Sequence, residues 1–268
     1  MSGTGKAGPV AGLSFADEAL SLDDFLGGRV KLWQPRGGYR AGVDPVLLAA
    51  ALPAREGEQV LELGCGGGQA LLCLGARVSG LGLTGVELQP DYANLARRNG
   101  RQNGQVLEVV EANLANLPKE LRQRQFDHVL ANPPYYRTGA HSPALDAGRQ
   151  IALGGDTPLS VWIETAARRL VYKGYLHMIQ RADRLPEMLS ACQACLGSLE
   201  ILPLAPRQGR PAELVLLRAR KGGRADFRLH APLILHEGLH HTADAESYRP
   251  EVRAILREGA PLIWPAPK

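Results

Sequence analysis

The tetrapeptide Asn132-Pro133-Pro134-Tyr135 carries the chemistry that the rest of the chain has to serve. Proline fixes φ and has no N–H, so two in a row leave carbonyl oxygens as unpaired acceptors. An Asn side-chain oxygen beside a proline carbonyl can take both hydrogens of an –NH2 group. Held in that way, a planar conjugated amine is drawn towards a tetrahedral shape and its lone pair is freed for attack. Tyr135 adds a face on which a planar base or amide stacks, and the ring rather than the hydroxyl is the part expected to work. Asn132, Pro133, Pro134 and Tyr135 are therefore the expected catalytic residues. In isolation Pro-Pro is ordinary loop punctuation, so the assignment depends on its surroundings.

Those surroundings include Glu62-Leu63-Gly64-Cys65-Gly66-Gly67-Gly68 and, nineteen residues beyond Gly68, Glu87. Glycines let the backbone turn sharply and let a ligand approach the main chain. A helix start behind them offers free N–H groups. A carboxylate at Glu87 can accept both hydroxyls of an adenosine ribose. The spacing is Gly-x-Gly-x-Gly, with Gln69 where the dinucleotide pattern requires glycine. Glu62 would repel a pyrophosphate but suits the ammonium of a methionine. The expected cofactor is S-adenosyl-L-methionine. Asn113, in Glu111-Ala112-Asn113-Leu114, either reaches the adenine edge or caps its own loop. The expected cofactor-binding set is Glu62, Gly64, Cys65, Gly66, Gly68, Glu87, Leu88, Asn113 and Leu114.

Both motifs need a frame of alternating strands and helices, and the chain supplies one. Strands are expected at Val30–Gln34, Gln59–Leu63, Leu83–Glu87, Val106–Val110, Phe126–Ala131 and Tyr175–Ile179. Helices are expected at Val46–Leu52 behind an Asp44 N-cap, and at Gln69–Val78, Pro90–Asn103, Pro158–Val171 behind Thr157, and Arg184–Leu196. Leu199–Leu202, Glu213–Ala219 and Arg228–Leu235 follow as strands without full helices between them, and Pro250–Glu258 is a short closing helix. The fold class is α/β: a Rossmann-like, doubly wound, mostly parallel seven-stranded sheet with an antiparallel C-terminal part. A tail is expected over 1–14. A single domain is expected over 15–268, with hairpin and helix to 55, cofactor-binding core over 56–205, and C-terminal strands and closing helix over 206–268.

With motifs and frame together, the chain resembles the class I N-methyltransferases that carry an Asn-Pro-Pro-Tyr motif. More narrowly it is similar to the bacterial family of tRNA(Val) adenine-N6 methyltransferases. The resemblance runs from about Leu22 to Ile263, through Phe25-Leu26-Gly27-Gly28-Arg29, Gly38-Tyr39-Arg40-Ala41-Gly42-Val43-Asp44 and Ala131 to Tyr136. It continues in Arg181-Ala182-Asp183-Arg184-Leu185, Ala219-Arg220-Lys221-Gly222-Gly223 and Pro232-Leu233-Ile234-Leu235-His236-Glu237. It implies methyl transfer to an exocyclic nitrogen, adenine N6 in tRNA, with RNA as partner. Glutamine-amide methylation of a release factor is an alternative, as is guanine-N2 methylation of ribosomal RNA. A non-catalytic RNA-binding module is a reading of another class.

The 268 residues suit one α/β domain with appendages. Thirty-one Lys and Arg against 27 Asp and Glu permit an RNA partner without requiring one. Seven basic residues against two acidic ones over Arg207–Arg228 point the same way. The polar, glycine-rich run over 137–156 has the length of a substrate loop. The Gly-, Ala- and Ser-rich start and the lack of a long apolar run make a cytoplasmic protein without membrane contact the expectation, its four cysteines reduced. His236-Glu237-Gly238-Leu239-His240 matches a zinc string, but it follows a strand-like run and contains a glycine, so no metal is expected. Cys192 and Cys195 read as core residues.

Overall fold

The computed structural model describes residues 15–135, 157–238 and 247–265. The expected tail over 1–14 and the run over 137–156 lie outside the described residues, as do Tyr136 and His240.

Strands β1 (Leu20–Phe25) and β2 (Val30–Pro35) form an antiparallel hairpin of their own. The sequence revealed β2 but not β1, whose Leu-Ser-Leu-Asp-Asp-Phe run buries only Leu20 fully. The turn between them holds Gly27 in the left-handed region at φ 64°, and a Cβ there would stand 2.6 Å from the Arg257 carbonyl oxygen. The hairpin therefore packs its backbone directly on the helical segment that contains Arg257. Helix α1 (Asp44–Ala50) follows. Its N-cap is Val43 rather than Asp44, which sits inside the first turn with its side chain free for another partner.

The main sheet comprises β3 (Gln59–Leu63), β4 (Gly82–Glu87), β5 (Leu107–Glu111), β6 (Phe126–Ala131), β7 (Leu170–Arg181), β8 (Gly197–Ala205), β9 (Leu214–Arg220), β10 (Arg228–Leu229) and β11 (Leu233–Ile234). Its order is β10-β8-β9-β7-β6-β3-β4-β5, with β11 also on β8. Among the described residues the sheet has nine strands, not seven. The expected strand over Arg228–Leu235 splits into β10 and β11, with Pro232, which has no N–H to donate, between them. The two pieces pair in parallel with opposite ends of β8, Arg228 beside Glu200 and Leu233 beside Leu204. The antiparallel strand is β9, which runs against both β7 and β8.

Helices α2 (Gln69–Arg77), α3 (Pro90–Gln102), α4 (Lys119–Arg122), α5 (Leu159–Arg169) and α6 (Leu185–Gln193) connect the strands. The cap of α5 is Pro158 rather than Thr157, and Leu170, expected in that helix, already begins β7. One core joins the sheet to α1, α2 and the C-terminal segment, a second lies under α5 and α6, and a small third gathers Leu20, Tyr92 and Leu95. The closing segment is α7 (Pro250–Arg253) continued by a π-helical turn over Ala254–Glu258. Beyond it, the Leu262 N–H donates to the Ala50 carbonyl, and the Trp264 indole donates to the Ala51 carbonyl at 2.9 Å. Those bonds clamp the C-terminal end of α1.

Cys192 is fully buried as expected, whereas Cys195 is half-buried with its thiol towards the Ala191 carbonyl. Among the described residues no helix is long and apolar enough to cross a membrane.

Candidate active site

The strand order reverses between β3 and β6, and open α/β sheets bind ligands at such a point, beyond the carboxyl ends of the strands. The register sets Leu63 of β3 beside Ala131 of β6, so the glycine loop and the Asn132 loop leave the sheet side by side. One cleft opens there. It is lined by Glu62, Gly64, Cys65 and Gly66, by Glu87 and Leu88, by Asn113 and Leu114, and by all of Asn132–Tyr135. Of the expected site residues only Gly68 is outside the lining. It is the left-handed N-cap of α2 and faces inward, where a Cβ would press on Leu107 and Ala96.

The glycine loop is held from three sides. Glu87 is buried, and its Oε2 accepts the Gly66 N–H at 2.8 Å while its Oε1 accepts the Gln89 N–H at 2.9 Å. Asn99 of α3 is completely buried; it donates to the Gly67 carbonyl at 2.9 Å and exchanges hydrogen bonds with both the N–H and the carbonyl of Trp33. Gly64 has φ 66°, and a Cβ there would meet the Trp162 ring at 2.6 Å. The indole of α5 thus occupies the space a side chain at Gly64 would need.

Burial raises the carboxyls of Glu62, Glu87 and Asp44 above the usual range. For Glu87 the backbone donors Gln89, Gly66 and Leu88 oppose this. Glu62 Oε2 is buried with no hydrogen-bond partner. An acidic cleft with a buried, unsatisfied carboxylate favours a cation, because a positive charge offsets the desolvation these groups suffer. S-adenosylmethionine has a sulfonium and an ammonium, so the residues present fit it.

The second wall is the Asn132–Tyr135 loop. The Tyr135 hydroxyl, expected to be idle, donates to Asp44 Oδ2 at 2.7 Å. Burial and then the Asp44 charge push the Tyr135 phenol far above its ordinary range, so it stays protonated and remains a donor. Tyr135→Phe should therefore cost about 1–3 kcal/mol, by leaving a half-buried carboxylate without its donor. A lower melting temperature and a several-fold lower turnover are expected. A Tyr135→Phe enzyme with wild-type values for both would show that the bond to Asp44 is dispensable. On the inner side, Gln180 Nε2 donates to the Pro133 carbonyl at 3.2 Å. Asn113 is exposed at the rim, and its Oδ1 caps its own turn by accepting the Ala115 N–H at 2.8 Å.

The basic stretch after Arg207 does not form one patch. Arg218 and Arg220 pair in register with His177 and Tyr175, towards the end of the sheet opposite the cleft, and Arg218 is held by Glu200 at 2.7 Å. Arg207 lies at the cleft end and donates to the Glu237 carbonyl. In the zinc-like string, His236 belongs to an isolated bridge with Tyr248 rather than to a helix. Among the described residues no group of three or more His, Cys, Asp or Glu is placed to hold a metal ion.

Residues 43–192 match the model of the methyltransferase small domain family, which spans more than half of the chain. The chain belongs to that family: it is a class I methyltransferase that uses S-adenosylmethionine. Two relatives are each named tRNA1(Val) (adenine(37)-N6)-methyltransferase. The one from Dickeya chrysanthemi is 26% identical over 230 residues, covering 83% of this chain and 88% of its own. The one from Porphyromonas gingivalis is 31% identical over 178 residues, covering 63% of this chain and 69% of its own. A solved structure of a predicted O-methyltransferase from Agrobacterium tumefaciens superposes with a TM-score of 0.67 at 29% identity, over 82% of this chain and 98% of that one.

Sequence reasoning gave no role to Asn99, Trp162 or Gln180, and gave Asp44 only that of a helix cap. Asp44 falls within the stretch that carried the family resemblance, which was the available signal. For Asn99, Trp162 and Gln180 there was none.

Proposed function

We propose that this enzyme methylates the exocyclic N6 amine of an unpaired adenine in tRNA. The observation that supports this most is the loop Asn132–Tyr135, at the end of β6, lining the same cleft as the glycine loop and Glu87. The names of the relatives agree with an adenine in tRNA.

In this reading Glu87 takes the ribose hydroxyls with the lone pairs not used by Gly66 and Gln89, and Glu62 offsets the methionine ammonium. Gly64 and Gly66 admit the ligand to the main chain, with Cys65, Leu88, Asn113 and Leu114 around it. When bound, S-adenosylmethionine supplies a methyl group on a positively charged sulfur. The Asn132 side-chain oxygen and the Pro133 carbonyl take the two amine hydrogens, and Tyr135 stacks the base. Held beside Glu62, Glu87 and the glycine loop, the cofactor would supply its methyl group to the nitrogen that Asn132 and Pro133 orient, leaving its sulfur as a neutral thioether, and the amine proton would pass to solvent. The work of the protein is positioning and electrostatics. Transfer to an oxygen would require a base for the hydroxyl proton, and Asp44, the carboxyl hydrogen-bonded to this loop, is already engaged by Tyr135.

The test offers the purified enzyme bulk tRNA, a release factor and short DNA with labelled cofactor. Label in tRNA, recovered as N6-methyladenosine, is the expected result. Label in the protein alone would move the assignment to glutamine methylation, and label in N2-methylguanosine would move it to a guanine enzyme.

A further inference from the structure

We infer that Gln180 is a positioning residue for methyl transfer: it aims the Pro133 carbonyl at the target amine. This rests on the reading of that carbonyl as an acceptor for an –NH2 hydrogen.

The two prolines leave the loop without N–H groups at 133 and 134, so those residues cannot anchor it through donors of their own. It has to be fixed from outside, and two side chains do so. Asp44 holds the Tyr135 end, and Gln180 holds the Pro133 end. Gln180 lies on β7, is completely buried, and donates through Nε2 to the Pro133 oxygen at 3.2 Å. Its Oε1 accepts the N–H of Arg181 at 2.9 Å. That second bond fixes which way the amide faces, because a flipped amide would set oxygen against the Pro133 oxygen and N–H against N–H. A carbonyl oxygen has two lone pairs. Gln180 occupies one, which leaves a single remaining direction for a second donor. A full-length amide is needed to bridge Arg181 and Pro133, and a buried amide is not displaced by water. The orientation of the acceptor is therefore set before substrate arrives, the condition under which small misplacements are costly.

Two variants separate this role from mere packing. Gln180→Leu keeps the bulk but removes the donor, so turnover should fall about 10- to 100-fold at saturating cofactor, with cofactor affinity near wild type. Gln180→Glu places a carboxyl in the same buried position. Its protonated form reproduces both bonds, with C=O accepting from Arg181 and O–H donating to Pro133. Its ionised form turns an oxygen towards the Pro133 oxygen. Burial favours the protonated form, so turnover of Gln180→Glu, relative to wild type at the same pH, should recover as pH falls. A purely structural residue would not produce that relative pH profile.

The comparison is made on whichever nitrogen substrate wild type labels, tRNA or protein, so the choice of substrate and the role of Gln180 fail separately. Wild-type turnover in Gln180→Leu would overturn the inference. If Gln180→Leu melts too low to assay, the Gln180→Glu profile decides: a turnover ratio that stays equally far below wild type at every pH would overturn it, and recovery towards low pH would support it.

Discussion

Asn132→Ala is expected to cut turnover by on the order of 100-fold or more while leaving affinity for S-adenosylmethionine close to wild type. Asn132 follows the last residue of β6, next to the glycine loop in register but outside its hydrogen bonds. Truncation there removes the proposed acceptor for the amine without touching the hydrogen bonds of Glu87, Asn99 or Gly66. The contact matters most as the nitrogen becomes tetrahedral, so the loss should appear in turnover rather than in cofactor binding. Titration calorimetry with the cofactor and single-turnover transfer to tRNA measure the two quantities separately. A variant that loses cofactor affinity and turnover equally would place Asn132 in the cofactor site instead.

Glu87→Ala should weaken cofactor binding by about tenfold or more. A charge-assisted hydrogen bond is worth roughly 1.5–3 kcal/mol, and each 1.4 kcal/mol is a factor of ten in affinity. The geometry adds a second component. Glu87 already accepts from the Gly66 and Gln89 N–H groups, so removing it also unpins the glycine loop. The melting temperature of the ligand-free protein should therefore fall, and the stabilisation that cofactor normally adds should shrink. Unchanged affinity in this variant would remove Glu87 from the ribose site.

The α/β frame was legible because its signals are local. Glycines behind β3, Pro90 at the start of α3 and the apolar runs of the strands each fix an element within a few residues. The candidate site was legible where a motif stands at or beside a strand end, as Glu62, Glu87 and Asn132 do. What remained hidden depends on partners brought together by the register of the sheet. Gln180 meets Pro133 across 47 residues of chain, Tyr135 meets Asp44 across 91, and Asn99 meets Trp33 across 66. No spacing rule spans such gaps. Asp44 carried a misleading local signal as well, since Asp-Pro at a helix start reads as a cap. The split of Arg228–Leu235 into β10 and β11 also depends on pairing, since the two pieces join opposite ends of β8.

The clamp on α1 has a consequence for how the enzyme is made. Leu262 and Trp264 are among the last described residues, and they fasten the helix whose first turn carries Asp44, the partner of Tyr135. A chain emerging from the ribosome can assemble the glycine loop and β6 long before those residues exist. Arg77 of α2 already holds the Ala49 and Leu52 carbonyls at that end of α1, so synthesis past Trp264 adds two further bonds to a helix that α2 fastened earlier.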